Sequence, residues 1–316
     1  MSPNSWTCLH PSNATEAKLS LDNRGLAYGD GFFTTMGVID GQILWLDYHQ
    51  QRLVSHAVAL QLQLDSFSLL TALKTHAKQL QQGMLKLIIT RAEQEVRGYG
   101  YTPNTGGGSA YEIWLKSSPM AITTARSLPL ADGQFIPLQP AASAICLSSQ
   151  IACLPPTLAG LKSLNRLDNV LASGELQAIK AKTLADTIKP SIAEGLLRDM
   201  SGQWVEGTMS NVFYQLVEAP VAKSSNRPHS QNNSSNYLTQ GQWYTPSMAQ
   251  SGVAGVMRQV IIDTLSTSNN PVIIRSLQDE DLPYLSQLFF CNALRGIMPM
   301  SSLRLLSGEV VSFEAI

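Results

Sequence analysis

Apolar positions in the first part of the chain recur with two periods, every second residue in some segments and every third or fourth residue in others. The first period is typical of strands and the second of amphipathic helices. The dipeptide Asp40-Gly41, a strong hairpin-turn signal, separates two apolar runs. The predicted elements are a turn and hairpin over residues 26–46, helices that begin at Asp47 and over residues 67–80, and buried strands over residues 85–90 and 111–115. Together they predict one α+β unit.

A change in composition predicts a domain boundary near the middle of the chain. Residues 119–134 contain Pro119, Pro129 and an Asp132-Gly133 turn but few apolar runs, which is typical of a linker. We therefore expect an N-terminal domain over residues 1–118 and a larger C-terminal domain over residues 135–316.

The C-terminal domain is also predicted to mix helices and strands. The predicted elements are a strand over residues 144–147, a helix over 165–182, strands over 194–198 and 204–216 that turn at Ser201-Gly202, and a helix over 252–266. Residues 219–240 are rich in Ser and Asn and interrupt a hairpin. Because they offer little apolar surface to bury, we expect a mobile surface loop there without a functional role.

Composition restricts the class of protein. With 316 residues, of which 44% are hydrophobic and 14% charged, the chain can bury a large core and is not disordered as a whole. The 22 Lys and Arg residues balance 23 Asp and Glu residues, so no global field attracts nucleic acid or an anionic membrane. No apolar stretch reaches the roughly 18–20 residues of a membrane helix, and no signal peptide is evident. A cytoplasmic location is the expectation.

Several common catalytic and binding motifs are missing from the sequence. Gly106-Gly107-Gly108 lacks the Lys-Ser/Thr of a phosphate-binding loop, and Gly29-Asp30-Gly31 lacks the third glycine of a dinucleotide fingerprint. The histidines and cysteines do not show metal-ligand spacing, and no Gly-x-Ser-x-Gly elbow occurs. We expect no metal site, and hydrolytic mechanisms are disfavoured.

Lys162 is the residue with the clearest chemical potential. It lies in a small, apolar turn between Leu161 and Leu164. Partial desolvation there favours the neutral, nucleophilic amine, which suits Schiff-base formation. The alternative is a lysine that packs its aliphatic chain at a helix end and keeps its amine in water. The spacing of the residues alone favours that alternative. The choice between the two interpretations therefore depends on the neighbouring motifs.

Six segments occur in one order along the chain: residues 21–35 (LDNRGLAYGDGFFTT), 48–53 (YHQQRL), 159–167 (AGLKSLNRL), 205–213 (VEGTMSNVF), 252–258 (GVAGVMR) and 292–294 (NAL). In this the chain resembles the fold-type IV pyridoxal-phosphate enzymes, the family of the branched-chain and D-amino-acid aminotransferases. The resemblance runs from about Leu21 to Met300. Residues 31–35, Arg97-Gly98-Tyr99 and the run that begins at Lys162 are more similar to lyase members than to transaminases.

The resemblance implies a two-domain α+β fold of the D-amino-acid aminotransferase type. A small N-terminal α/β domain and a larger C-terminal domain would hold pyridoxal 5'-phosphate at their junction. It also implies a homodimer that acts on a small molecule, without nucleic acid or membrane. The expected activity is a lyase reaction, with transamination of D-amino or branched-chain amino acids as the alternative, and a cofactor-free homologue as the third possibility.

Three roles follow from the resemblance. Lys162 would bind the cofactor as a Schiff base and then act as general base. Glu206 would keep the pyridine nitrogen protonated. If the resemblance is set aside, the simpler interpretation of Glu206 is a surface carboxylate on a strand. Arg52 would bind the phosphate through its planar guanidinium, whereas by itself it reads as a solvated helix residue.

Further cofactor contacts are expected in the second half of the chain. The backbone N–H groups of Val256 and Met257 would lie at a helix N-terminus, which suits a phosphate. The simpler interpretation is a glycine-containing helix start. Asn292 is expected to add a contact.

Substrate contacts are expected from the first half of the chain. Arg97, together with Tyr99, is the first candidate for a substrate carboxylate, and Arg91 is a second one. An exposed loop cation is the alternative for Arg97. Thr34 or Thr35 is expected to line the pocket, with ordinary strand threonines as the alternative. Ser163 stands where lyase members of the family often have histidine, which bears on specificity.

Overall fold

A computed structural model describes residues 6–11, 19–102, 111–122, 126–130, 133–183, 192–217 and 237–313. The chain divides into two compact units. The first comprises Met1–Thr123 and Pro156–Leu167, and the second comprises Thr124–Pro155 and Asp168–Ile316. Both contain helices and strands, so the expected two-domain α+β class is confirmed. Among the described residues, no helix is long and apolar enough to cross a membrane.

The described part of the first unit forms a five-stranded antiparallel sheet with strand order β1-β5-β4-β2-β3. Its strands are β1 (Trp6–His10), β2 (Gly31–Ile39), β3 (Gln42–Ile43), β4 (Gly83–Arg91) and β5 (Tyr111–Pro119). Its helices are α1 (Arg24–Tyr28), α2 (Leu46–Ala59) and α3 (Ser66–Leu80). The predicted hairpin, helices and strands of this half are confirmed within a few residues.

Alternation along β2 decides which side chains enter the core of the first unit. Phe32 and Met36 are buried in the same cluster as Leu53 of α2 and Leu73 of α3. Successive strand residues point to opposite faces, so Phe33 and Thr35 face away from the helices. Phe33 and Thr35 are accordingly only half-buried.

The segment that carries Lys162 joins this sheet through its backbone. The Phe33 N–H donates to the Lys162 carbonyl at 3.0 Å, and the Leu164 N–H donates to the Gly31 carbonyl at 3.0 Å. The short strand β3 pairs with β2 only at Val38 and Ile39, which leaves the other end of that edge open for these bonds. We expected Lys162 within the domain over residues 135–316, whereas its segment clusters with the first unit.

In the second unit, eleven strands of the described residues form one mixed sheet. The order is β13-β12-β11-β10-β9-β8-β15-β7-β6, with β14 between β11 and β15 and with β16 on β15. The strands are β6 (Arg126–Pro129), β7 (Phe135–Leu138), β8 (Ala142–Ile151), β9 (Ile192–Asp199), β10 (Trp204–Gly207), β11 (Asn211–Leu216), β12 (Tyr244–Thr245), β13 (Ile273–Ile274), β14 (Leu285–Asn292), β15 (Gly296–Arg304) and β16 (Val310–Ser312). The helices are α4 (Leu167–Thr183) and α5 (Val256–Leu265).

Most elements predicted for the second half are confirmed, with two differences. The helix expected over residues 252–266 begins only at Val256, because the preceding residue Gly255 is extended, with φ −69° and ψ 142°, and Gly252 has a left-handed φ of 75°. The predicted linker over residues 119–134 contains β6, which pairs with β7. The loop predicted over residues 219–240 lies mostly outside the described residues.

A charged network stabilises one corner of the first unit. The Asp30 carboxylate accepts from Arg24 Nε and from Arg91 Nε, both at 2.9 Å. Both arginines are buried. Arg24 also donates to the carbonyls of Gly98, Tyr99 and Gly100. The network therefore ties α1 to the loop after β4.

Replacing Asp30 with Ala should destabilise the protein by about 3–5 kcal/mol, since it leaves two buried guanidinium groups without their carboxylate. Denaturant unfolding followed by circular dichroism measures the change. Asp22→Ala, at an exposed position next to α1, is the matched control and should change the free energy of unfolding by less than about 0.5 kcal/mol. Equal values for the two variants would contradict the assigned role of the network.

Candidate active site

The backbone of Lys162 is held on both sides. Its carbonyl accepts from Phe33, as described above, and its N–H donates to Nε2 of His56 at 2.9 Å. Gly160, two residues earlier, has a left-handed φ of 75°, so the turn that leads into this position favours glycine. The Lys162 amine lies 4.7 Å from the centroid of the Phe33 ring. The Lys162 amine is therefore placed beside an aromatic ring by a backbone that two hydrogen bonds hold.

Three side chains of α2 share one buried face below this segment. His49, Arg52 and His56 are spaced by three and four residues, the spacing of neighbours on a helix surface. Burial lowers the pKa of Arg52 to about 10, which still leaves it protonated at neutral pH. The interpretation of Arg52 as a solvated surface residue is wrong, because the side chain is buried.

Both histidines are neutral at physiological pH. The pKa of His56 is lowered to about 3, mainly by burial and further by the positive charges of Arg52, Arg166 and Lys162. The pKa of His49 lies well below its usual range, mainly because of burial and further because of the positive charges of Arg52 and Lys162. Arg52 and Lys162 thus act on both rings. This concentration of positive charge around two neutral imidazoles suits an anion such as a phosphate.

Two buried polar atoms beside these cations have no hydrogen-bond partner among the described residues. They are Nε2 of His49 and Nε of Arg166. The other ring nitrogen of His49 lies 2.8 Å from Oγ1 of Thr34. Since buried polar atoms are nearly always hydrogen-bonded, these two atoms are consistent with a polar ligand. The sequence did not single out His49 or His56, although the His-x-x-Arg spacing on α2 was a usable signal.

The candidate substrate residues of the first unit differ in their surroundings. Arg97 is exposed, and Tyr99 is 84% exposed, on the loop whose carbonyls Arg24 binds. Arg91 donates to Asp30 and to the carbonyls of residues 60 and 61, and its guanidinium lies 3.8 Å from the Tyr101 ring centroid. These contacts give Arg91 a structural role, while its contact with a substrate stays a prediction.

The half-buried face of the sheet carries a further cation, on β4, that the sequence analysis did not predict. Thr35 lies two residues beyond Phe33 on this face and pairs with Lys86 of β4. The Lys86 amine lies 5.6 Å from the centroid of the Phe33 ring, the ring that the Lys162 amine also approaches. The structure therefore brings Thr35, Lys86 and Lys162 to one aromatic side chain. Only the cross-strand register reveals Lys86.

Glu206 lies in the second unit, on β10, and is 3% exposed. Its Oε2 accepts from the Val253 N–H at 2.8 Å, and its Oε1 from Nδ2 of Asn169 at 3.4 Å. A side chain at Gly252 would meet Oε2 at 3.0 Å, so the backbone can approach the carboxylate only as glycine. The interpretation of Glu206 as a surface carboxylate is therefore wrong.

A second buried carboxylate fixes the loop that follows Glu206. Glu194 of β9 accepts from the backbone N–H and the hydroxyl of Thr208, from the Gly195 N–H and from the Ser210 hydroxyl. Four donors satisfy this buried charge and hold the β10–β11 turn in place. No sequence signal distinguishes Glu194 from an ordinary strand residue.

Val256 and Met257 are the first two residues of α5, so their N–H groups lie at a helix N-terminus, as the sequence predicted. No side chain caps this helix N-terminus, and its N-cap residue is Gly255. A Cβ at Gly255 would lie 1.9 Å from Oδ1 of Asn211, whose amide donates to the Val253 carbonyl. The close packing thus requires glycine, and an uncapped N-terminus suits an anion.

The Asn292 side chain is engaged in a turn. Its Oδ1 accepts from the N–H groups of Leu294 and Arg295, and its Nδ2 donates to the Met209 carbonyl. These bonds explain the Asn-Ala-Leu motif as the β14–β15 connection, while a cofactor contact stays a prediction. Among the described residues, no group of three His, Cys, Asp or Glu side chains could hold a metal ion.

Comparison with known proteins places the chain in a family. The Amino-transferase class IV family matches residues 31–303. The crystal structure of 4-amino-4-deoxychorismate lyase from Pseudomonas aeruginosa is 30% identical, with a TM-score of 0.68, over 94% of this chain and 90% of that one.

Two curated relatives show the same breadth of similarity. Aminodeoxychorismate lyase of Vibrio harveyi is 23% identical over 290 residues, which cover 91% of this chain and 88% of the relative. A putative branched-chain-amino-acid aminotransferase of Methanocaldococcus jannaschii is 26% identical over 305 residues, 95% of this chain and 87% of the relative. The match over residues 31–303 and the shared fold establish that the chain belongs to the class IV aminotransferase family.

Proposed function

We propose that this protein is a pyridoxal-phosphate-dependent carbon–oxygen lyase that converts 4-amino-4-deoxychorismate into 4-aminobenzoate and pyruvate, a step of folate biosynthesis. The observation that carries the proposal is the 30% identity to a 4-amino-4-deoxychorismate lyase over 94% of this chain. We further propose that the enzyme is a cytoplasmic homodimer.

The donor set fits pyridoxal phosphate. Lys162 offers the amine, and Arg52 with the N–H groups of Val256 and Met257 would hold the phosphate. The partnerless Nε2 of His49, buried beside Arg52 and Lys162, supports an anionic ligand at this place. Glu206, buried in the second unit, would face the pyridine nitrogen. When bound, the cofactor supplies an electron-withdrawing ring that acidifies the carbon bearing the substrate amine.

The protein's own side chains then need to carry out few chemical steps. The Lys162 Nζ accepts the proton from C4 of the substrate, the C3–O bond breaks, and the enolpyruvate takes up a proton to become pyruvate. The ring becomes aromatic as the ether leaves, which supplies a large driving force. The protein therefore has mainly to position one base and two carboxylates.

For the substrate carboxylates we propose Arg97 with Tyr99, and the face of Thr35 and Lys86. An exposed Arg97 on a loop that Arg24 anchors can reach an anion while its backbone stays fixed. Lys86 provides a second cation near the Phe33 ring. Ser163 replaces the histidine common in lyase members, so these cations carry more of the substrate recognition here.

The alternative function is a transaminase of D-amino or branched-chain amino acids. The 26% identity to a putative branched-chain-amino-acid aminotransferase favours it. The two reactions share the cofactor and the base and differ in their products, so a single assay separates them.

Incubation of the cofactor-loaded protein with 4-amino-4-deoxychorismate should release equimolar pyruvate and 4-aminobenzoate, because both come from one cleavage. Chromatography of the products measures them. Conversion of the cofactor to its pyridoxamine form by an amino acid, without pyruvate from 4-amino-4-deoxychorismate, would support the transaminase and overturn the lyase.

Lys162→Ala should abolish the covalent link to the cofactor. Borohydride reduction of the loaded wild-type protein, followed by peptide mass spectrometry, is expected to place a reduced adduct on Lys162 and none on the variant. Lys74→Ala, at an exposed lysine of α3, should leave the adduct intact. An adduct on another lysine in the wild type would rule out the assigned role.

Arg97→Met should raise KM for 4-amino-4-deoxychorismate by about 10- to 100-fold with little change in kcat. The variant loses one charged hydrogen bond, and a bond made equally in the ground and transition states affects binding but not kcat. Lys78→Met removes an exposed cation at the end of α3 and should leave both constants unchanged. Steady-state kinetics decides, and an unchanged KM in Arg97→Met would exclude the carboxylate contact.

A further inference from the structure

The ladder with β2 satisfies only one backbone group of Lys162. The Lys162 carbonyl and the Leu164 N–H bond to β2, on either side of the bridge between Phe32 and Ser163. The Lys162 N–H takes no part in this pairing. Its partner is Nε2 of His56, which lies 106 positions earlier in the chain.

This bond fixes the tautomer of His56. A backbone N–H can only donate, so Nε2 must be the accepting nitrogen and the ring hydrogen lies on Nδ1. The Nδ1 atom is 3.3 Å from Oγ of Ser55, and the Ser55 hydroxyl donates to the Arg52 carbonyl at 3.2 Å. A continuous chain of hydrogen bonds thus connects the backbone of Arg52 to that of Lys162.

The surroundings of His56 keep this bond in place. The ring is buried and packs edge-on against Phe32, with 5.3 Å between ring centroids. The charged groups that face it are Arg52, Arg166 and Lys162, which all oppose protonation. With a pKa of about 3, the ring stays neutral and Nε2 keeps its lone pair throughout the physiological range.

We infer that His56 is a positioning residue: by accepting the Lys162 N–H, it fixes the backbone from which the amine is presented and sets its register relative to Arg52. The chemical role of Lys162 in this inference rests on the proposed function. The hydrogen bond that fixes the backbone does not depend on the proposed function, and it can be tested without cofactor.

A set of three substitutions tests the inference. In His56→Gln, the amide oxygen can reach the place of Nε2 and accept the same bond. In His56→Asn, the amide lies nearer the place of Nδ1 and falls short. His56→Leu fills the volume without any acceptor. Gln and Asn differ by one methylene, so they form the matched pair.

The first readout is amide hydrogen exchange at Lys162 in the cofactor-free protein. We expect exchange to be about tenfold or more faster in His56→Asn and His56→Leu than in the wild type, and near wild-type in His56→Gln, because one hydrogen bond of ordinary strength is lost or kept. The amide of Leu87, in the sheet core, is the internal reference and should not change. Equal protection in the Gln and Asn variants would overturn the inference, and so would protection in the Leu variant.

The second readout is kinetic and uses the loaded enzyme. A loosened lysine should lower kcat about tenfold in His56→Asn with KM nearly unchanged, and His56→Gln should restore kcat. A KM effect of equal size in both variants would show a merely structural residue and count against the inference. If exchange follows the expected pattern while the wild type forms no adduct on Lys162, the positioned backbone stands and the proposed function fails.

Discussion

The backbone pairing between residues 162–164 and the open edge of β2 is the interaction on which the candidate site depends. It brings a segment from the middle of the chain into the first unit, beside α2. Because hydrogen bonds of the main chain do not depend on side-chain identity, the pairing leaves the side chains free to carry chemistry. The position of the Lys162 amine beside the Phe33 ring follows from this placement.

The electrostatic consequence of that placement is a cluster of like charges in a poorly hydrated place. Positive charges at Arg52 and Lys162 oppose the protonation of both His49 and His56, and Arg166 adds to the effect at His56. Charges of one sign repel more strongly where water is scarce, so such a cluster is costly without an anion. The stored cost is a measure of how strongly the site should favour a phosphate ligand.

The sequence predicted the α+β class, most helices and strands, and the family, since these depend on local periodicity and on motifs in order. It could not predict contacts between distant segments. The bond from Lys162 to His56 spans 106 positions, and Lys86 joins the site only through the register of β2 and β4. Nor could the sequence predict that the side chains of Arg91 and Asn292 bond within an ion network and a hairpin turn, whereas their expected ligand contacts stay predictions.

The near-neutral net charge of −1 is compatible with this local excess of cations. At physiological ionic strength, exposed charges act over only about 8 Å, so the sum over the whole chain says little about one site. The local effect depends on burial: the side chain of Arg52 is buried, and so is the Nε atom of Arg166, so screening ions reach these groups less than they reach exposed charges. A chain with a net charge close to zero can therefore still hold an anionic cofactor at one local cluster of cations.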